Sequence, residues 1–299
     1  MTRLLRSFLF VPATDLRKVK KALSTDTDAV ILDLEGGVAA SDKVRARSLV
    51  VDVLSSVQPS GIYVRVNSVD SPWIVGDLMA VVGNRPAGLM LPKTECPEEV
   101  RRIDWLVGQL EKEYVLPTGR IEIIALVETA RGVAHALEVA SACPRIRRLA
   151  FGAVDYTLDM GIGRSEKGNE LLYARSQLAV ASRAAGLEGP IDTIYLNLKD
   201  HTGLSEDCRV ARELGFSSKL VIHPAHIATV NEIFSPTESE IEYAMKVVQA
   251  FDEAESTGIA AVQLDGKFID YPVAEWARRT LNMEENQDLP VEGTLQTPL

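Results

Sequence analysis

Eight short, almost continuously apolar runs punctuate the chain, at 7–12, 29–35, 61–67, 87–93, 122–129, 147–155, 191–198 and 219–224. Strands covered on both faces read this way, whereas a strand with one wet face alternates. The segments between them carry helix starts. Ser41-Asp42 precedes a helix expected over 43–54, Pro72 follows Asp70-Ser71, and Pro97 opens a charged helix reaching about Glu113. Eight runs joined by seven mostly helical connections match an α/β chain folded as a TIM (β/α)8 barrel over 1–234. A doubly wound open sheet is the alternative. It usually opens on a Gly-rich first turn, which Pro12-Ala13-Thr14 is not. From 235 the pattern changes. Ser235 and Glu238 stand at capping-box spacing, and a helix should run to Ser256 before Gly258 breaks it. Residues 259–269 alternate like a hairpin around Asp265-Gly266, and 272–282 reads as a last helix, so 235–299 forms a separate C-terminal extension.

An apolar share of 46% is enough for a barrel-sized core. A net charge of −10 argues against nucleic acid or an anionic membrane as main partner, since each needs a basic face. Cys96, Cys143 and Cys208 lie far apart with no metal or disulfide spacing. The first residues have no signal-type apolar region with a cleavage site, and no stretch approaches the roughly 20 apolar residues of a membrane span. The expected location is cytoplasmic.

A TIM barrel places its active site at the C-terminal ends of its strands. There the runs offer Asp33 and Glu35, Arg65 and Asn67, Lys93, Glu128, Asp155 and His223. Charges inside apolar strands are costly unless paired or metal-bound. Carboxylates gathered at one mouth are the usual surroundings of Mg²⁺, with Arg65 and Lys93 available for a substrate's carboxylate or carbonyl. The plainer alternative is a set of salt bridges closing the barrel, with Arg65 paired to Glu35 or Glu128. His223 and His226 invite a metal role or, more simply, hydrogen bonding at the barrel end. Asp192 belongs at the barrel bottom or in a loop.

The segments 6–12 (RSFLFVP), 29–38 (AVILDLEGGV), 64–67 (VRVN), 91–93 (LPK), 127–132 (VETARG), 151–156 (FGAVDY), 221–225 (VIHPA) and 266–273 (GKFIDYPV) occur in that order. Together they resemble the citrate lyase β-subunit-like proteins of the HpcH/HpaI aldolase superfamily over roughly 6–282. The resemblance implies a barrel with a C-terminal lid on a neighbouring subunit, in a homotrimer or hexamer. It implies Glu128 and Asp155 as Mg²⁺ ligands, Arg65 as the grip on a 2-oxo acid's carboxylate, and Asp270 as a lid residue reaching a neighbour's site. Arg6 and the region around Arg17 would face the arm of coenzyme A or of an acyl-carrier protein. Two positions depart from the pattern. Where such proteins commonly read LEDAV this chain has Gly36 and Gly37, and Val154 stands for the glutamate of FGAED. The groups that tune the metal should therefore differ.

The expected reaction is retro-Claisen cleavage of a 3-hydroxyacyl thioester of citramalyl-, malyl- or citryl-CoA type. Arg65, Asp270 and Glu35 would be catalytic, with Glu35 a candidate for the base. Arg65, Lys93, Arg6 and Arg17 would bind substrate. Two other readings stay open: a CoA-independent aldolase of 4-hydroxy-2-oxo acids, and a catalytically degenerate subunit that binds a thioester or a partner.

Overall fold

The computed structural model describes residues 4–57, 61–165 and 167–286. Eight parallel strands close into a barrel, with the eighth pairing back onto the first. They are β1 (Ser7–Pro12), β2 (Ala29–Asp33), β3 (Ile62–Arg65), β4 (Gly88–Leu91), β5 (Glu122–Val127), β6 (Ile146–Phe151), β7 (Ile191–Asp192) and β8 (Ser218–Val221). The helices that surround them are α1 (Leu16–Leu23), α2 (Lys43–Ser56), α3 (Ile74–Val81), α4 (Pro97–Glu113), α5 (Ala130–Ala134), α6 (Ala136–Ala140), α7 (Ala153–Asp159), α8 (Leu172–Ala184), α9 (His201–Glu213) and α10 (Ile227–Ile233). This is the expected TIM barrel.

The two-residue strand period sorts the side chains into two cores. Val30, Leu32, Val64, Leu89, Ala125 and Leu149 face the helices. Phe8, Ile31, Tyr63, Met90, Ile124, Leu126 and Ala150 fill the barrel. Each such burial stabilises the fold by roughly 1.5–3 kcal/mol for the larger side chains. The same parity fixes what lies above and below. Glu122 and Arg148 fall in the inward set at the lower end, where they pair at 2.9 Å and the Tyr63 hydroxyl donates to Glu122 at 2.9 Å. Glu188 completes this plug, 2.8 Å from Arg148. Asp33, Arg65 and Glu128 continue the inward set at the upper end, with Asp33 beside Arg65 in register.

Two runs are shorter than expected. The run at 147–155 leaves the sheet at Phe151, and Asp155 sits in the first turn of α7. The run at 191–198 pairs only through Asp192. There the Thr193 hydroxyl accepts the Ala153 N–H at 3.0 Å, which ties the chain to α7 instead of prolonging the ladder. Asp192 itself is fully buried between Arg175 and Lys219.

The C-terminal extension consists of α11 (Glu238–Ser256), an antiparallel hairpin of β9 (Val262–Leu264) and β10 (Lys267–Ile269), and α12 (Tyr271–Glu285). The hairpin turns on Asp265 and Gly266, both at positive φ (49° and 78°), as a two-residue primed turn requires. Ala244, Val247, Phe251, Ile269, Ala274 and Ala277 form a core of their own. The helix start lies two residues later than the Ser235–Glu238 spacing suggested. Ser235 donates its hydroxyl to Asn231 and accepts from Arg6, so Thr237 and Glu240 make the capping box instead. Links to the barrel include the Leu4 N–H to Asn286 carbonyl bond at 3.0 Å and the Arg212–Glu240 pair at 2.9 Å. Among the described residues no helix is long and apolar enough to cross a membrane.

Candidate active site at the barrel mouth

The upper end of the barrel is built on the turn that follows β2. Asp33 is 3% exposed, and its carboxylate accepts four hydrogen bonds. Oδ1 takes the Glu35 N–H at 2.8 Å and Arg65 Nε at 2.7 Å, and Oδ2 takes the Gly37 N–H and Arg65 Nη2, both at 2.7 Å. The turn is tight here, since a Cβ on Gly37 would lie 2.7 Å from Asp33 Oδ2. The other side of the turn is clamped by Lys43, a buried lysine of α2. Its ammonium donates to the carbonyls of Leu34 and Glu35 and to Asn67 Oδ1. Asn67 is held in turn by Asp77, and Asp77 by Arg47.

Arg65 carries the positive charge of this layer. Asp33 holds it side-on, Glu35 lies 3.3 Å from Nη1, and the Phe10 ring sits 4.7 Å beneath Cζ. Burial works against its charge, but Asp33, then Glu35 and Glu128, outweigh that and raise its pKa. The simple pairing expected with Glu35 or Glu128 is therefore shared, with Asp33 as the main partner.

Opposite stands Glu128, 2% exposed, just past the end of β5. Oε1 accepts the Lys93 N–H at 2.7 Å. Lys93 has a left-handed φ of 52° and an exposed side chain, so what it brings to the site is its backbone. Gly152 closes the other flank, where a Cβ would come within 2.6 Å of Glu128 Oε2 and 2.7 Å of its Cβ. Burial, then the charge of Asp155, push the Glu128 carboxyl up to about 8. Among the described residues no Lys or Arg lies within ion-pair distance of Glu128 or Asp155. Two neighbouring carboxylates, one buried and short of positive charge, pressed into a cradle that admits no Cβ, are a donor set suited to a hard divalent cation. No group of three or more His, Cys, Asp or Glu among the described residues is gathered closely enough to hold a metal. A cation here would be completed by water and substrate oxygens, as Mg²⁺ commonly is. The rings of His201 and His223 stand 6.2 and 6.4 Å from that of buried His226 and form no metal site.

The remaining candidates are placed differently. Arg17, in the first turn of α1 near the mouth, has a side chain 94% exposed. With Lys18, Lys20 and Lys21, also exposed, it forms a basic edge. Arg6 corrects the expectation of a role beside it. Arg6 precedes β1, at the end opposite the mouth, where it pairs with Asp28 at 2.8 Å and bonds Ser235. Its neighbourhood in sequence to β1 concealed which end of the strand it occupies. Asp270 caps α12, accepting the Val273 N–H at 3.3 Å, and belongs to the C-terminal unit.

Sequence reasoning did not assign Lys43 or Gly152 to the site and gave Asp33 no task. The inward parity of Asp33 with Arg65 was a usable signal. Lys43 offered none, since a lysine at a helix start ordinarily lies in water.

The family model of HpcH/HpaI aldolase/citrate lyase matches residues 6–224. The chain belongs to this family. Citrate lyase subunit beta of Leuconostoc mesenteroides subsp. cremoris is 36% identical over 283 residues, covering 94% of this chain and 93% of that protein. Human mitochondrial citramalyl-CoA lyase is 35% identical over 294 residues, covering 93% and 85%. The CitE protein of Mycobacterium tuberculosis, solved in complex with magnesium, acetoacetate and coenzyme A, superposes with a TM-score of 0.78 at 30% identity, covering 94% of this chain and 98% of that one. The family is thus one of carbon–carbon lyases, and the resemblance drawn from the motifs holds.

Proposed function

We propose that this lyase cleaves a 3-hydroxyacyl-CoA thioester of citramalyl, malyl or citryl type into a 2-oxo acid and acetyl-CoA, with Mg²⁺ held by Glu128 and Asp155. The observation that carries the reading is the pair of carboxylates at the mouth, without a cation of the protein beside them and across from Arg65. Relatives that act on citramalyl-CoA and a CitE protein solved with magnesium and coenzyme A support it.

Mg²⁺, when bound, supplies Lewis-acid stabilisation of negative charge developing on the substrate's oxygens. The chain's own groups do the rest. Arg65 fixes the carboxylate of the oxo-acid half through two N–H donors. Glu35, half-buried in the same layer, takes the proton of the 3-hydroxyl. The C–C bond breaks as the carbonyl of the oxo acid forms, and its electron pair stays on the carbon α to the thioester, shared with the thioester oxygen as an enolate. A proton delivered to that carbon completes acetyl-CoA. Asp270 of a neighbouring copy is the donor in this reading, as the resemblance to related lyases implies. Arg17 and the lysines of α1 form an edge for the phosphates of coenzyme A.

The test is a cleavage assay with citramalyl-, malyl- and citryl-CoA, with and without EDTA. Turnover of at least one thioester, lost with EDTA, is expected. Turnover of free 4-hydroxy-2-oxo acids alone would move the chain to the aldolase reading, and no turnover of any of them would make it a binding subunit.

A further inference from the structure

Arg65 has five N–H donors, and Asp33 uses two of them, on the Nε and Nη2 edge. What remains is the outer edge formed by Nη1 and Nη2. Among the described residues Arg65 has no further hydrogen bond, although Glu35 lies 3.3 Å from Nη1. An arginine with one edge occupied and one vacant is poised for a planar anion.

Three contacts decide where that edge points. Asp33 grips the guanidinium side-on, Phe10 lies flat below it, and Glu35 flanks Nη1. Asp33 cannot swing away, because the same two oxygens accept the N–H groups of Glu35 and Gly37. The turn cannot drift either, since Lys43 binds the carbonyls of Leu34 and Glu35.

We infer that Asp33 is a positioning residue that presents the outer edge of Arg65 to the carboxylate of a 2-oxo acid. Asp33 touches no substrate atom and acts through Arg65. A dock of this kind suits a planar carboxylate next to a carbonyl. The inference rests on the proposed role of Arg65 as the carboxylate grip.

A double-mutant cycle tests it, read as calorimetric binding of pyruvate to the full-length protein in saturating Mg²⁺. Arg65→Ala should weaken pyruvate at least 100-fold and Asp33→Asn 10- to 100-fold, while the double variant binds no worse than Arg65→Ala. Asp33→Glu, which keeps the charge but not the side-on grip, should weaken pyruvate similarly and only while Arg65 is present, and it serves should Asp33→Asn fail to fold. If Arg65→Ala binds pyruvate as the unaltered protein does, the grip itself is misassigned. If Arg65→Ala loses binding but Asp33→Asn and Asp33→Glu do not, or if their effects persist without Arg65, the positioning role is wrong.

Discussion

The two ends of this barrel bury charge in opposite ways. At the lower end Arg148 meets Glu122, with Tyr63 and the half-exposed Glu188 completing the set, and every charge has its partner. At the upper end, among the described residues, Arg65 pairs only with Asp33 and Glu35, while Glu128 and Asp155 have no cation within ion-pair distance, and Lys43 spends its donors on carbonyls and an amide. A plug needs only to pair its acids with its arginine, because its task is to fill space. A site for a cation and an anionic substrate must hold negative and positive groups apart, and the protein alone leaves them unbalanced. The lesson is that burial of charge does not by itself mark a functional site, whereas an unmatched surplus does.

The sharpest break in the comparison comes from removing charge at each end. Glu128→Ala or Asp155→Ala should lower metal-dependent turnover by about a thousandfold or more, in line with the loss of an essential charge-stabilising group. Because burial and Asp155 disfavour the charged form of Glu128 in the metal-free protein, Glu128→Gln should keep or raise the melting temperature measured in EDTA. Arg148→Met should do the reverse, leaving Glu122 buried without its partner. It should cost about 3–5 kcal/mol in urea denaturation, with kcat per folded molecule little changed.

Gly152→Ala sharpens the contrast without touching a charge. Its Cβ displaces Glu128, and Mg²⁺ affinity should fall about 10- to 100-fold, the usual cost of disturbing a ligand's support. The smallest effect comes from the matched network on the outer wall. Burial alone would raise the pKa of Asp207, but Lys219 and Arg175 outweigh it and bring it to about 2. A carboxylate held lower in the folded state than its unfolded value of about 4 contributes its stability above that value and loses it as pH falls from about 4 to about 2. The contribution is about 2 kcal/mol, and Asp207→Asn should flatten that part of the stability profile between pH 5 and 2.

Much of the barrel was legible because buried parallel strands write themselves as apolar runs. The upper layer was legible because Asp33, Arg65 and Glu128 interrupt such runs. Less visible was anything decided by direction or distance. Arg6 adjoins β1 but lies at its start, so proximity in sequence placed it at the wrong end. Asp155 looked like the tip of a strand, yet the chain leaves the sheet at Phe151 because Gly152 must pass against Glu128. Thr193 ends β7 through a single hydrogen bond from the start of α7, which no local pattern records. The capping box moved from Ser235 to Thr237 because Ser235 is committed to Asn231 and Arg6.

The paired acids at the open end can be tested with Mg²⁺ and nothing else. Titrating the metal into the full-length protein by calorimetry should show one site per chain, lost in both Glu128→Gln and Asp155→Asn and untouched by Arg148→Met. Equal Mg²⁺ binding by the unaltered protein and the two carboxylate variants would contradict the account.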